Sequence, residues 1–452
     1  MNGTEQYPFD EFFGSAIPLL EREAIRQEWL ALRPPYAIND RRLPKPVWAR
    51  HGYAEDGPQA WQKLQAEMLQ IEPDRPYCIY IHIPFCASKC SFCDCYAFQL
   101  GRHSSEHIET YCALLEQEIS LWSRLGSLAR RPVSTVHFGG GTPLLLGQDG
   151  FSRLVQQVRR AFNVGPHTEW ALESTSSELN DGMFDLLDSL GFTRLHLGVQ
   201  TLDDLIRRML NRRESAAVVL EKLSKAAARG WITSVDLIFG LPTQTLESLL
   251  NDIQLVADIG GNGFSLYELQ RSPRNRVFIE KYGLTDRDRT LDFFLLQAAS
   301  RRLLQLGYKK NLFNHFADEQ DTDLYFTFPE RGEDCLAIGT IADGVFNGYH
   351  YRHPEYALYC KGVTATFPGL AGGVRQSSQD GRFASLETAI LSARLSKALF
   401  VEVLGQAGAE ALLSKWSDSA LIASDPECAG QYRLTANGSW FTGEMMGQLA
   451  EQ

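Results

Sequence analysis

Residues 80–95 read Tyr80-Ile81-His82-Ile83-Pro84-Phe85-Cys86-Ala87-Ser88-Lys89-Cys90-Ser91-Phe92-Cys93-Asp94-Cys95. The stretch begins inside an apolar run that predicts a buried strand, Tyr77–Ile83, and continues as a loop with three cysteines at gaps of four and three residues. Thiolates are the standard ligands of iron–sulfur clusters. A loop with this spacing can hold three corners of a [4Fe–4S] cubane through Cys86, Cys90 and Cys93, so the fourth iron needs a ligand from outside the loop.

The same loop allows two other sites, in both of which Cys95 is a fourth thiolate. One is a structural zinc ion, although zinc sites usually pair cysteines from two separated segments, and four thiolates within ten residues are crowded. The other is a conventional ferredoxin-like cluster with four cysteine ligands. The cluster with an open iron is the preferred hypothesis.

Length and composition narrow the class of protein. The chain has 452 residues, 44% of them hydrophobic and 22% charged, as in a globular protein with a large core. A net charge of −11 argues against nucleic acid as the main partner. No apolar run approaches the ~18 residues that span a bilayer, and the segment 1–11 is too polar and acidic for a secretory signal. We therefore expect a cytoplasmic protein without a membrane partner.

Beyond the loop, short apolar runs alternate with amphipathic stretches of helical length. This alternation predicts an α/β fold, a parallel sheet with crossover helices, and about six repeats predict a partial (β/α)6 barrel. Active sites of such barrels lie at the carboxyl ends of the strands, which is where the cysteine loop begins. The predicted strands are 77–83, 134–138, 168–173, 194–199, 233–239 and 263–269.

The pattern divides the chain into four predicted regions. Residues 1–72 form a helical leader that serves as a substrate lid, and residues 73–290 form the barrel. Residues 291–368 extend the barrel and line a substrate pocket, and residues 369–452 form a small winged-helix-like domain. Prolines and changes in hydrophobic periodicity mark these boundaries.

The cysteine loop resembles the CxxxCxxC signature of the radical S-adenosylmethionine (SAM) superfamily. With the lead-in His82-Ile83-Pro84-Phe85 and the extra Cys95, it is similar to the oxygen-independent coproporphyrinogen III oxidase branch. The resemblance covers about residues 77–350. It implies that SAM binds the open iron, and that an electron from the cluster cleaves SAM to methionine and a 5′-deoxyadenosyl radical. The protein then supplies positioning and exclusion of water.

The resemblance also assigns residues to SAM. Gly139-Gly140-Gly141-Thr142 follows a strand and would meet the methionyl amine, and Glu173 ends the next strand. Gln200, Arg212 and Asp236 match positions that bind a second SAM, and Arg suits a carboxylate through its two-pronged guanidinium. The alternative is that these strand-end side chains only cap neighbouring loops. The full expected cofactor-binding set is Tyr80, Phe92, Gly140, Gly141, Thr142, Glu173, Gln200, Arg212, Asp236 and Gln270.

The chain departs from the branch in three places: the first lies beside the SAM residue Glu173, and the other two argue for a different substrate. The branch has Asn-Pro near Glu173, where this chain has Ser174-Thr175-Ser176-Ser177, and it has Asn-Tyr-Ala where this chain has Tyr267-Glu268-Leu269-Gln270. The branch's leading substrate-binding motif is absent from residues 1–72. The stretch His315-Phe316-Ala317 does match the branch.

Candidates for acid–base or substrate-contacting roles are Glu268, His315 and Tyr349. Tyr349 belongs to the segment Asp343–His353, which concentrates histidine, arginine and tyrosine and could line an aromatic substrate pocket. The alternative is an ordinary polar loop. Apart from Arg212, the basic group at Arg207, Arg208 and Arg213 is interpreted as a solvated face.

Three functions are consistent with the sequence. The first is a methyltransferase-type member of the branch, in which a second SAM donates one carbon to methylate or cyclopropanate a heteroaromatic or tetrapyrrole-like small molecule, anaerobic haem breakdown being one case. The second is oxidative decarboxylation of coproporphyrinogen III, and the third is a non-enzymatic haem chaperone. Both enzymes need an electron donor of the flavodoxin or ferredoxin type.

Overall fold

The computed structural model describes residues 9–45, 52–100, 104–426, 428–449 and 451. Parts of the predicted leader, residues 1–8 and 46–51, lie outside the described residues, and so does most of the segment tested above for a secretory signal. Within the described ranges, no helix combines the length and the apolar character needed to cross a membrane.

Six parallel strands form the centre of the molecule, as the sequence predicts. Each pairs in parallel with the next, and helices connect them. The strands are β1 Tyr77–Ile83, β2 Val133–Gly140, β3 Glu169–Ser174, β4 Arg194–Gln200, β5 Ile232–Phe239 and β6 Gly263–Glu268. The connecting helices are Ser104–Ser123, Gly126–Arg130, Gly147–Ala161, Asp181–Ser189, Asp204–Met209, Ala216–Ala228 and Leu246–Asp258.

The sheet extends beyond the six predicted strands on both sides. A seventh strand, β7 Asp334–Ile338, pairs in parallel with β1, where the sequence indicated only a strand-and-loop extension. Antiparallel strands continue that side, in the order Asp343–Phe346, Tyr349–Arg352, Gly372–Arg375 and Glu55–Asp56. On the other side, β6 is followed by His315–Ala317 and Lys309–Lys310. The sheet therefore has thirteen strands, and both of its edges are two-residue strands made of charged residues.

Side chains alternate across the barrel strands. On β1, Ile79 and Ile81 are fully buried on the helix side, whereas Tyr80 and His82 face the polar interior, where their side chains hydrogen bond to each other. The same period of two puts His137 and Glu173 together inside the barrel. The barrel therefore has an apolar shell under its helices and a polar interior that can hold a charged ligand.

The segment 343–353 is a hairpin, and its structure corrects the catalytic role predicted for Tyr349. Asn347 and Gly348, both with positive φ, form the turn, and the amide of Asn347 donates to Asp334 at the amino end of β7. Tyr349 is buried beside this turn, and its hydroxyl donates to Glu55 over 2.7 Å. It therefore lies at the end of the sheet opposite the cysteine loop.

The buried carboxylate of Glu118 joins the extension to the barrel helices. It accepts hydrogen bonds from His353 (2.8 Å), Tyr359 (2.6 Å), Trp122 (2.9 Å) and the amide of Gly339 (3.1 Å). Burial lowers the pKa of His353, but the Glu118 carboxylate outweighs burial and raises it above its usual value. His353 therefore belongs to the core and not to a substrate pocket.

The leader and the carboxyl-terminal region meet at the end of β6. Arg41 of the leader and Arg289 both bind Glu268, and both lie over the ring of Trp440, at 4.3 and 5.3 Å. The hydrophobic core is continuous across the predicted region boundaries, so the four-region division stays a prediction.

The remaining helices are Phe9–Phe13, Leu19–Leu30, Gly57–Met68, Arg276–Lys281, Thr290–Gln305, Tyr356–Gly362, Ser378–Leu391, Lys397–Asp418, Ala436–Trp440 and Thr442–Leu449.

A small antiparallel sheet lies among the last helices. Its strands are arranged in the order Leu395–Ser396, Gln431–Leu434 and Ile422–Ser424. The winged-helix-like character expected for residues 369–452 stays a prediction. The helix Ala436–Trp440 begins directly after the strand Gln431–Leu434, with Thr435 as its N-cap.

We predict that Glu118→Ala destabilises the fold by about 3–5 kcal/mol, because it leaves several buried donors without an acceptor. Urea unfolding monitored by tryptophan fluorescence measures the change. Glu116→Ala, on the same helix, is the matched control. It removes only a half-exposed ion pair with Arg153, so we expect a loss below about 1 kcal/mol. Equal losses in the two variants would contradict the role assigned to Glu118.

Candidate functional site

The cysteine loop is fixed to the carboxyl end of β1 by its backbone. The strand pair Phe85–Cys86 and Phe98–Gln99 closes the loop, with the amide of Phe98 donating to Pro84 over 2.7 Å. The amide of Ser91 donates to the carbonyl of Leu210, and Asn211 donates to the carbonyl of Lys89. The loop is therefore attached both to its own strand and to the segment after β4.

The thiols of Cys86, Cys90 and Cys93 are half-buried, while Cys95 is exposed. Burial raises the pKa of Cys86 and of Cys90. In the described part of the chain, no three of the loop's thiols lie within 4.8 Å of one another. A tetrahedral zinc ion needs sulfur–sulfur distances of roughly 3.8 Å, given its Zn–S bond length. The loop presents three partly exposed thiols, Cys86, Cys90 and Cys93, to a cluster.

The glycine segment after β2 lies against the cysteine loop. The amide of Gly141 donates to Ile83 and that of Thr142 to Phe85, both over 2.7 Å. Gly140 has φ +106°, and a Cβ there would lie 2.6 Å from the imidazole of His82. Only glycine fits so close an approach in this backbone conformation. The segment thus presents its backbone at the mouth of the barrel, beside the thiols.

Glu173 is held at the same mouth by two partners. One carboxylate oxygen lies 2.8 Å from Nε2 of His137, and the other accepts the amide of Gly140 over 3.2 Å. Burial raises the pKa of Glu173, but the hydrogen bond and charge of His137 outweigh it and lower the pKa to about 2. The carboxylate is therefore ionised near neutral pH and caps the glycine segment, while its side chain is still 28% exposed to the mouth.

Tyr80 and His82 form the next pair in the interior. The Tyr80 hydroxyl lies 2.9 Å from Nδ1 of His82, and Nε2 of His82 is buried without a partner. Burial lowers the pKa of His82 to about 4, so the imidazole is neutral.

Gln200 and Arg212 present unpaired polar atoms to the same region. Gln200 ends β4 at a bulge with φ +64°, and its Oε1 is buried without a partner, as is Nε of Arg212. Both side chains lie against Gly198, where a Cβ would be 2.9 Å from Gln200 and 3.4 Å from Arg212. Arg212 also lines a cavity of about 210 Å³ with Cys86 and Cys90. Buried polar atoms without partners are costly, so this pair fits a polar ligand.

Asp236 is oriented by a histidine that the sequence analysis did not single out. Nε2 of His196 lies 2.6 Å from Asp236, and its Nδ1 lies 2.7 Å from the hydroxyl of Ser234. Burial lowers the pKa of His196, but the Asp236 carboxylate outweighs burial and raises the pKa to about 9. The protonated ring therefore holds one oxygen of Asp236 in place.

Phe92 and Gln270 are brought together by Asn275. Its side-chain amide donates to the carbonyl of Phe92 over 2.8 Å and to that of Gln270 over 2.7 Å. The ring of Phe92 lies 6.0 Å from the guanidinium of Arg212. These predicted residues therefore share the edge that carries the cysteines.

Two of the candidate acid–base residues, Glu268 and His315, already have side-chain partners within the protein. Both oxygens of Glu268 are taken by arginines: Arg289 binds both, and Arg41 binds one. This corrects the idea of a free acid or base at Glu268, which instead fixes the leader to the barrel. His315 lies in the barrel interior, 2.9 Å from Ser265 and 3.1 Å from Asp321.

His315, Asp321 and Asp323 have ligand atoms within 4.8 Å of one another, as a metal site would. However, Nη1 of Arg194 lies 2.6 Å from Asp321, and a guanidinium supplies the positive charge that a metal would otherwise bring.

A second correction concerns Arg207, which was expected on a solvated face. It is 2% exposed and donates to the carbonyls of Val199, Thr201 and Glu214.

Sequence reasoning missed His137 and His196. Each stands two residues before a strand-end glycine, Gly139 or Gly198, so the strand period of two puts it on the interior face below the site. The spacing of each histidine from the following glycine could therefore have identified both residues from the sequence.

The comparisons with known proteins agree with this geometry. The family model described as Radical SAM superfamily matches residues 80–256. The oxygen-independent coproporphyrinogen III oxidase of Salmonella typhimurium is 32% identical over 327 residues, which are 68% of this chain and 70% of that protein. The Escherichia coli K12 protein of the same name is 33% identical, but the match spans only 58% of its length and 60% of this chain.

Two further similarities extend over almost the whole chain. The anaerobilin synthase of Escherichia coli O157:H7 is 25% identical over 446 residues, which are 93% of this chain and 95% of that protein. The solved structure of coproporphyrinogen III oxidase from Escherichia coli, described as a radical SAM enzyme, superposes with a TM-score of 0.76 at 25% identity. That superposition covers 88% of this chain and 95% of the other. The chain therefore belongs to the radical SAM superfamily, in the family of the oxygen-independent coproporphyrinogen III oxidases.

Proposed function

We propose that this chain is a radical SAM enzyme that transfers one carbon from a second SAM to a tetrapyrrole, in the manner of a methyltransferase. Membership of the superfamily implies a [4Fe–4S] cluster and SAM, which together supply a 5′-deoxyadenosyl radical when bound. The three half-buried thiols of Cys86, Cys90 and Cys93 fit the cluster, and the glycine segment and Glu173 fit a bound SAM.

The observation that carries the proposal is the unpaired pair Gln200 and Arg212. Their buried Oε1 and Nε have no partner among the residues that the structure describes, although most buried polar groups in proteins are paired. The fork of Arg212 suits the carboxylate of a methionyl group. Asp236, with one oxygen fixed by His196, can bind a ribose hydroxyl or an ammonium with the other.

The chain's own residues then have defined tasks. Glu173, ionised with a pKa of about 2, binds the amine of the first SAM, and the backbone of the glycine segment binds beside it. Arg212 and Asp236 orient the second SAM. Glu268, through Arg41, holds the leader at the carboxyl end of β6.

The tetrapyrrole substrate is supported by the relatives. The named products and substrates of the matched proteins are anaerobilin and coproporphyrinogen III. The match to anaerobilin synthase spans 93% of this chain, whereas that to the Salmonella typhimurium oxidase spans 68%. We therefore favour a haem-type substrate.

Oxidative decarboxylation of coproporphyrinogen III is the second candidate, favoured by the superposition on that oxidase over 88% of this chain. A haem chaperone is a third, because the Buchnera aphidicola haem chaperone is 28% identical over 309 residues.

Anaerobic incubation of the reconstituted enzyme with haem or with coproporphyrinogen III, analysed by mass spectrometry, separates all three. We expect a methylated product from haem. A decarboxylated product from coproporphyrinogen III, or tight haem binding without SAM cleavage, would contradict the proposal.

We also propose an acidic electron donor of the flavodoxin or ferredoxin type. Lys89, Arg208 and Arg213 are exposed close to the cysteine loop, although the whole chain carries a net charge of −11. Local positive charge near the cluster favours encounter with a negatively charged carrier.

We predict that replacing Cys86, Cys90 or Cys93 by alanine removes nearly all of the cluster, because each thiolate holds one corner. Iron and sulfide content after anaerobic reconstitution measures the loss. Cys95→Ala is the matched control within the same loop, and we expect it to keep wild-type iron content. Loss of the cluster in Cys95→Ala would instead indicate a site with four cysteine ligands.

We predict that Arg212→Lys lowers release of S-adenosylhomocysteine by about tenfold or more, because a lysine cannot replace a two-pronged, charge-assisted contact. Formation of 5′-deoxyadenosine should fall less. Both products are measured in anaerobic single-turnover assays with dithionite. Arg213→Lys, the exposed neighbour, should behave as wild type. A wild-type enzyme that forms 5′-deoxyadenosine but never S-adenosylhomocysteine would exclude a second SAM as donor.

A further inference from the structure

The loop between the strand His315–Ala317 and β7 enters the barrel from below. Asp321 anchors it, through Nη1 of Arg194 at 2.6 Å and Nε2 of His315 at 3.1 Å. Burial raises the pKa of Asp321, but His315 and Arg194 outweigh burial and lower it. The carboxylate therefore stays charged, and the loop is held by ionic contacts inside the barrel.

The loop turns upward immediately after this anchor. Asp323 has φ +43°, a left-handed conformation that non-glycine residues adopt at a cost. The guanidinium of Arg331 then binds the carbonyl of Leu324 over 2.6 Å. Immediately after these two fixed points, the side chain of Tyr325 enters the interior, against Tyr80 and His137.

The ring of Tyr325 lies face-on to two residues of the site. Its centroid is 4.9 Å from that of Tyr80, with planes 13° apart, and 4.4 Å from that of His137, with planes 29° apart. Tyr80 and His137 are register partners on β1 and β2. One phenol ring therefore covers two adjacent side chains from below.

Those two side chains each depend on a single polar contact. Tyr80 bonds to His82 through its hydroxyl, and His137 bonds to Glu173 through Nε2, while Nδ1 of His137 is buried without a partner. One hydrogen bond does not by itself fix the plane of a ring. The stacked face of Tyr325, together with the edge of Phe326 against His137, holds both ring planes.

We propose that Tyr325 is a positioning residue for the first SAM: it acts through Tyr80 and His137 to fix His82 and Glu173 at the mouth. This role rests on the proposed function, because it assumes that Glu173 binds SAM. It also gives a task to His315 and Asp321, which anchor the loop that carries Tyr325.

The test compares Tyr325→Leu with Tyr325→Phe in the reconstituted enzyme. SAM affinity is measured by the change that SAM causes in the electron paramagnetic resonance spectrum of the reduced cluster. Aromatic pairs gain most of their energy from ring contact, so we expect the leucine variant to bind SAM about tenfold more weakly. The phenylalanine variant keeps the ring and should bind within threefold of wild type.

Phe328→Leu is the control for general damage to the loop, since that ring has no stacking contact with Tyr80 or His137 among the described residues. We expect it to bind SAM like wild type, with iron content equal in all variants. Wild-type affinity in Tyr325→Leu, or equal weakening in Phe328→Leu, would overturn the role of Tyr325. Loss of turnover in Tyr325→Phe with unchanged SAM affinity would also overturn it, in favour of a reacting phenol. Failure of the wild-type enzyme itself to bind SAM would instead count against the proposed function.

Discussion

Every carboxylate that faces the barrel interior at the site has a cationic or histidine partner. Glu173 has His137, Asp236 has His196, and Asp321 has Arg194 and His315. An unpaired charge in such a place would be strongly destabilising. A barrel that receives a charged cofactor needs a polar interior, and pairing is what makes that interior compatible with folding. The geometry of the site follows from this pairing, because each histidine or arginine also fixes the direction of the carboxylate that it binds.

The pairs are layered along the barrel axis. Glu169 and Arg194, at the amino ends of β3 and β4, bind each other and close the lower end together with Asp321. His137 and His196 each contact a carboxylate that lies about two register positions further toward the carboxyl end of the next strand, Glu173 and Asp236. Among the described residues, the acids Glu169 and Asp321 at the lower end are paired, whereas Gln200 and Arg212 leave Oε1 and Nε without a partner. Within one barrel interior, the residues that stabilise the fold thus lie toward the amino ends of the strands, and the residues that fit a ligand lie toward the carboxyl ends.

Most of the barrel could be predicted because its signals are local. The run Tyr77–Ile83 and the cysteines after it predict both a strand and its function. The seventh strand, Asp334–Ile338, could not be predicted in the same way, because its partner β1 lies far away in sequence. Tyr349 was wrongly placed at the site although Asn347-Gly348 is a strong hairpin signal, typical of two-residue turns. A hairpin there reverses the chain and takes Tyr349 away from the mouth.

The residues of the site that lie at strand ends could be predicted from the sequence. Gln200, Asp236 and Glu173 stand at or near strand ends, where a parallel sheet gathers residues. Arg41, Arg289 and Tyr325 come from the leader, a helix end and a loop, and nothing in their local sequence points toward the barrel. Only tertiary packing brings them to Glu268 or His137, so no local pattern identifies them.

The two ends of the thirteen-stranded sheet have a consequence for the protein in a crowded solution. A sheet edge exposes unpaired backbone groups that can recruit a strand from another molecule. Here one edge is Glu55–Asp56 and the other is Lys309–Lys310. Each edge strand is only two residues long, which is too short for stable pairing, and charged side chains on an edge strand oppose the addition of a further strand. A sheet of this width is thereby kept from growing into an aggregate by four charged residues.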